Sequence, residues 1–265
     1  MTDSLHLSPP ISDGVILAVA SGKGGVGKTW LSITLSHALA QSGADVLLFD
    51  GDLGLANVDI QLGLAPQQDL GAVLDDKVTL ENAVFPYAAG GFDILAGHSG
   101  SGNLASLPIP RLVALRRELQ ELSRRYDVTI LDLGAGVDRP VRLMAGMAQA
   151  SLVVTTDEPT ALTDAYAFIK LARAENVEAD MRVVVNMAAS VAEGEATHAV
   201  LRRTCESFLS YTPSLAGIIR RDSHVRESIR AQSPLLERFS GCEAAKDVQA
   251  LALQLRRAFA PHIKG

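Results

Sequence analysis

The stretch Gly22-Lys23-Gly24-Gly25-Val26-Gly27-Lys28-Thr29 constrains this chain more than any other. It follows an apolar run over residues 15–20 and opens a helix-like segment over 31–41. This is the strand, loop and helix setting that the spacing G-x-x-x-x-G-K-[ST] requires. Gly22, Gly24, Gly25 and Gly27 admit turns closed to residues with a Cβ, so consecutive N–H groups can point at phosphate oxygens. A helix starting near Gly27 adds its N-terminal dipole at the same spot. Lys28 offers a point charge to β- and γ-phosphates, and the Thr29 hydroxyl is placed to join a Mg²⁺ shell. Trp30, the single tryptophan, comes next. It completes the nucleotide-contacting stretch 22–30 and reads either as a reporter of loop ordering or as core packing.

Downstream, apolar β-branched runs alternate with helical stretches. The runs are 46–49, Phe92–Leu95, 128–131, 152–155, 182–185 and 215–219. Strands buried on both faces read as continuous apolar segments, with helices covering the two faces. The expected fold is therefore α/β, a three-layer sandwich around a mainly parallel twisted sheet. A flexible lead over 1–13 is expected to precede one domain over 14–265. A Gly/Ser-rich stretch over 97–103 reads as a mobile loop near the C-terminal edge of the sheet.

At 265 residues and 48% apolar content the chain has enough material for one large core. Its two cysteines, Cys205 and Cys242, lie far apart, neither has the spacing of a metal site, and they suggest reduced thiols in a cytoplasmic protein. No apolar run approaches the roughly 18 residues that span a bilayer. The net charge of −6 argues against a generally basic nucleic-acid binder, yet residues 200–265 carry 11 Lys or Arg against 6 Asp or Glu. Arg202, Arg203, Arg220, Arg221, Arg226, Arg230, Arg256 and Arg257 read either as solvated helix faces or as a surface for an anionic partner.

Asp50-Gly51-Asp52 falls directly after the run 46–49, at the edge where the phosphate loop lies. Two carboxylates beside a magnesium triphosphate can orient metal-bound water and the attacking water. Asp132 ends the run 128–131 as a magnesium-holding carboxylate does, and Gly136 could offer its N–H to a γ-phosphate. The metal set is thus Thr29, Asp50 and Asp132.

The sequence K-G-G-V-G-K-T over 23–29 resembles the deviant Walker A box of the MinD/ParA ATPases. The resemblance implies that Lys23 crosses a dimer interface to the partner's nucleotide, joining Lys28 and Asp52 in the catalytic set. Residues 50–59 resemble the family's switch I, in which the second aspartate positions the lytic water, a role that falls to Asp52. Residues 132–136 are similar to its D-x-x-x-G switch II, although Leu133 replaces a common hydroxyl residue. Asn186 matches an adenine-reading asparagine. Asp222 matches an aspartate of the base-side G-x-I-P-x-D loop, with Arg220 in place of the proline.

Residues 52–59 followed by 62–64, residues 96–100 and above all 157–166 look like the FlhG/FleN branch, which sets flagellar number and placement. That resemblance covers roughly residues 15–235. It implies an ATP- and Mg²⁺-dependent homodimer with slow hydrolysis. Its implied partners are an FlhF-type GTPase, a flagellar switch protein or a flagellar transcription activator, at the cell pole or inner membrane face. The branch's D-Q-A-x-x-L-R motif has no counterpart over 1–13. An amphipathic helix over 244–259, with Val248, Leu251, Leu255 and Phe259 in one stripe, reads either as core packing or as a weak membrane contact. The competing reading is a ParA-type partition or cargo-positioning ATPase that binds DNA non-specifically.

Overall fold

The computed structural model describes residues 14–52, 57–97 and 107–260. The lead over 1–13, residues 53–56 of the switch I-like segment and residues 98–103 of the Gly/Ser loop lie outside the described residues.

Eight strands form one sheet: β1 (Val15–Ser21), β2 (Val46–Gly51), β3 (Phe85–Tyr87), β4 (Phe92–Leu95), β5 (Val128–Ala135), β6 (Ala150–Thr155), β7 (Met181–Ala188) and β8 (Ser214–Arg220). Their spatial order is β3-β4-β2-β5-β1-β6-β7-β8. All neighbours are parallel except β3 and β4. The expected mainly parallel α/β sheet is therefore present. The short antiparallel β3 was not anticipated: it spans three residues around Pro86, a residue tolerated at a sheet edge because it has no N–H to donate.

Alternation along β1 shows why its sequence is apolar throughout. Val15, Leu17 and Val19 join the core on one face, while Ile16, Ala18 and Ala20 join the core on the other. Successive strand side chains point to opposite faces, and both faces are covered. Helices α1 (Lys28–Gln41), α2 (Val58–Leu62), α9 (Ser223–Arg230), α10 (Leu235–Arg238) and α11 (Glu243–Ala258) supply the first layer. Helices α3 (Leu70–Leu74), α4 (Leu80–Ala83), α5 (Ile109–Ser123), α6 (Arg139–Ala145), α7 (Pro159–Glu175) and α8 (Val191–Leu209) supply the second.

Two of these helices bear directly on function. α1 is buried from Trp30 to Leu39, so small and apolar residues surround its axis. Its internal hydroxyls are satisfied locally: Thr34 donates to Trp30 O at 2.8 Å and Ser36 to Ser32 O at 2.8 Å. α11 buries Val248, Leu251 and Leu255 against the same core. That stripe is core packing, and Phe259 is half-buried against the same core, its ring under the Arg182 guanidinium at 4.8 Å. None of the helices among the described residues is long and apolar enough to cross a membrane.

Candidate functional site

From β1 the chain runs to β2 on one side, and from β5 it runs to β6 on the other. The strand order thus reverses around β1, and the crevice beyond the strand C-termini at such a point is where open α/β sheets bind ligands. The loop Gly22–Lys28 leaves β1 there, between the ends of β5 and β6, with β2 next beyond β5. Gly25 and Gly27 carry positive φ, 79° and 89°. Gly27 is also tight, because a Cβ there would stand 2.4 Å from Asn186 Nδ2. Gly22 has a different reason for being glycine: its Cβ would meet the Asp164 carbonyl of α7 at 2.2 Å.

Gly27 caps α1 without a side-chain bond, and the first intrahelical bond runs from Leu31 N to Gly27 O at 3.0 Å. The N–H groups of Lys28, Thr29 and Trp30 therefore have no intrahelical acceptor and form an anion-binding terminus. The Trp30 ring itself lies in the core, so only its backbone belongs to the loop.

Behind the loop stand the carboxylates. Asp50 and Asp132 face one another in register across β2 and β5, and both are fully buried. Asp132 Oδ1 accepts from Ser32 Oγ at 3.0 Å, and Thr29 is near enough to hold this carboxyl's pKa down. Its Oδ2 is buried without a hydrogen-bond partner among the described residues. Asp50 is committed differently: Oδ1 accepts from Asp52 N at 3.1 Å, and Oδ2 accepts from Asn57 N and Val58 N, each at 3.1 Å. It anchors the segment that carries Asp52.

Burial raises both carboxyls above the usual range, and for Asp50 the Asp132 charge adds to it. Thr29, Lys28 and Ser32 pull Asp132 back, while Asp52 pushes it further up. Lys28 is itself lowered by burial, which Asp132 and Asp52 resist. A buried ammonium beside buried, mutually repelling carboxylates is costly unless a counter-charged ligand completes the cluster. Of the expected metal set, Thr29 and Asp132 offer oxygens suited to a hard divalent cation such as Mg²⁺, whereas both Asp50 oxygens are already taken by backbone N–H groups. The unpartnered Asp132 Oδ2 supplies an oxygen for that cation or for its water shell.

Other expected residues are placed less directly. Asn186 donates from Nδ2 to Val26 O at 2.8 Å and accepts from Met187 N at 2.9 Å, so its amide braces the loop. Gly136, with φ of 115°, donates its N–H to Ser21 O at 2.9 Å. Asp222 caps α9 through His224 N and also accepts from Glu243 N at 3.0 Å. Burial opposes its ionisation, but hydrogen bonds from His224 and Ala244 outweigh that and hold it below the usual range. Base contacts by Asn186 or Asp222 would require exchange of these partners.

Lys23 points away from the cradle. Its Nζ donates to Glu158 Oε2 at 2.5 Å and to Thr160 Oγ1 at 2.8 Å at the start of α7. Neither partner was assigned from sequence as a contact of Lys23, and sequence separations of 135 and 137 leave no local signal. Ser32 was also missed, although it lies three residues beyond Thr29 on the same helix face, a spacing that makes it legible.

A parallel sheet that reverses its strand order at a glycine loop of this kind is the fold of the phosphate-loop nucleotide-binding proteins. Residues 17–235 match the family described as the CobQ/CobB/MinD/ParA nucleotide binding domain, and the chain belongs to that family. It is 37% identical over 237 residues to the antiactivator FleN of Pseudomonas aeruginosa, covering 89% of this chain and 84% of that protein. It is 28% identical to the flagellum site-determining protein YlxH of Helicobacter pylori, covering 83% and 74% respectively. Among solved structures, the cell division ATPase MinD of Pyrococcus furiosus superposes with a TM-score of 0.76 at 25% identity, covering 92% of this chain and 99% of that one.

Proposed function

We infer that this chain is an ATP-gated homodimerising switch of the FlhG/FleN type, limiting flagellar number or setting flagellar placement from the cytoplasm. The observation that carries the biological assignment is the 37% identity to FleN across most of both chains. The Pseudomonas relative is named an antiactivator and the Helicobacter relative a flagellum site-determining protein. Those names favour a flagellar transcription activator as partner here, with an FlhF-type GTPase or a flagellar switch protein as further candidates. Arg220, bonded to Asp247 and Glu243, is already neutralised within the chain, which weakens the DNA-binding alternative.

In this reading Lys28 and the free N–H groups of α1 hold the β- and γ-phosphates. Thr29 and Asp132 hold Mg²⁺ directly or through water, Asp50 keeps their surroundings in place, and Asp52 orients the lytic water. Mg-ATP supplies the charge that this cluster lacks and the energy that resets the switch. Gly136 contributes an N–H once its bond to Ser21 exchanges. Lys23 reaches the second protomer's nucleotide after leaving Glu158.

That departure gives a prediction. Glu158→Ala removes a competitor for Lys23, so ATP-dependent dimerisation should become tighter. The side chains are 36% and 61% exposed, and exposed ion pairs contribute about 1 kcal/mol or less. The gain should therefore be no more than about fivefold. Sedimentation at graded protein concentration measures it; a weaker dimer would mean that Glu158 serves the interface instead.

Asp52→Ala should bind ATP and accumulate as dimer, because the phosphate cradle is left intact. Lys23→Ala should bind ATP and remain monomeric. Filament counts by electron microscopy connect this to biology: deletion should alter flagellar number or placement, and Lys28→Ala should not restore it. Normal flagella together with plasmid or chromosome loss would move the assignment to partition.

A further inference from the structure

Away from the phosphate loop, three side chains of different donor chemistry converge where β8 ends and α9 and α11 begin. Asp222 precedes α9, His224 lies in its first turn, and Cys242 is the residue before α11. One ligand atom from each can be chosen so that all lie within 4.8 Å of one another. His224 Nδ1 is 2.7 Å from Asp222 Oδ1, and the Cys242 thiol lies within 4.8 Å of a ligand atom of each. We propose that Asp222, His224 and Cys242 form a binding site for a borderline-soft divalent cation of the zinc type, which ties α9 to the N-terminus of α11.

The donor set selects the metal. One thiolate, one neutral imidazole and one carboxylate match the preference of zinc for sulfur and nitrogen, and their two negative charges balance a dication. Magnesium and calcium prefer all-oxygen cages, so the ion of the nucleotide site would not compete well here. Three protein ligands leave a fourth tetrahedral position for water.

The surroundings hold the ligands in place. Asp222 accepts from His224 N at 3.0 Å, Glu243 N at 3.0 Å and Ala244 N at 3.4 Å, which fixes its carboxylate. The His224 ring rests against Phe239, with centroids 4.5 Å apart. Cys242 N donates to Phe239 O at 3.0 Å. Tetrahedral zinc holds its ligand atoms roughly 3.3–3.8 Å apart, so the Asp222–His224 pair at 2.7 Å has to open and the wider contacts have to close, by side-chain rotations of about 1 Å. With 44% of its side chain exposed, His224 leaves an entry path. Binding releases the thiol proton, and the imidazole takes the metal at Nδ1 with its ring hydrogen on Nε2.

Cobalt titration of the reduced full-length chain, without nucleotide, tests the site. One equivalent of Co²⁺ should produce a thiolate-to-cobalt charge-transfer band that Zn²⁺ displaces. Zn²⁺ should also raise the melting temperature of the wild type. Cys242→Ser and His224→Ala should each lose the band and the zinc-induced rise, while Cys205→Ser, at the buried second thiol, should keep both. Melting in chelator and far-ultraviolet circular dichroism establish that each variant is folded, with His224→Asn replacing the alanine variant if that one is not. No band at one equivalent, or a band that survives in Cys242→Ser or the folded His224 variant, overturns the proposal.

Discussion

Lys28→Ala is expected to abolish measurable ATP binding. Lys28 is 8% exposed; burial lowers its pKa, and the charges of Asp132 and Asp52 oppose that shift. In the nucleotide-free protein those carboxylates compete with one another for a single cation; phosphates and Mg²⁺ would complete the balance. Truncating one member of a buried charge cluster typically costs 2–5 kcal/mol, or roughly 30- to several-thousand-fold in affinity. Two carboxylates left facing the phosphates add repulsion in the same direction. Titration calorimetry with Mg-ATP measures the loss, and Lys28→Met, which keeps the apolar stem, separates charge from packing. An affinity within threefold of wild type in either variant would refute the assignment of the cradle.

Particular residues show why the fold was legible in sequence and the detail of the site less so. β1, β2 and β6 announced themselves because both faces of the sheet are covered, leaving no polar alternation to blur the run. β5 extends four residues past its apolar stretch, through Asp132 to Ala135, because backbone pairing of Leu133 with Gly51 and Ala135 with Ser21 continues it. Ladder hydrogen bonds do not depend on side-chain polarity, so composition could not mark that end. The phosphate loop was legible because its geometry demands glycine at Gly25 and Gly27. Gly22 satisfies the same pattern for another cause, its approach to α7, which no local window contains. The Asn186 bond to the Val26 carbonyl and the Lys23 pairing with Glu158 are likewise contacts between residues remote in sequence.

Asp132→Asn should separate the stability of the free protein from its use of Mg²⁺. The folded-state pKa of Asp132 is raised to about 6, with burial the largest cause. A raised carboxyl pKa means that ionisation costs folding free energy. The cost begins as pH rises through the ordinary carboxylate value and is complete above the folded value. The asparagine variant escapes it, so its stability relative to wild type should increase between about pH 4 and pH 6 and then level off. The pKa displacement corresponds to a gain on the order of 1–3 kcal/mol at neutral pH. Two features allow that gain to appear: an amide oxygen can still accept from Ser32, and Lys28 retains Asp52 as a counter-ion. The opposite outcome is expected with ligand. A ligand at a hundredfold excess over its dissociation constant stabilises the native state by about 2.7 kcal/mol. The magnesium-dependent part of that stabilisation should disappear, because the buried oxygen that had no protein partner is replaced by a donor that repels a cation. Paired melting curves with and without Mg-ATP decide the matter. A variant less stable when free would make Asp132 a structural member of the cluster, and one that keeps the full magnesium increment would remove it from the metal site.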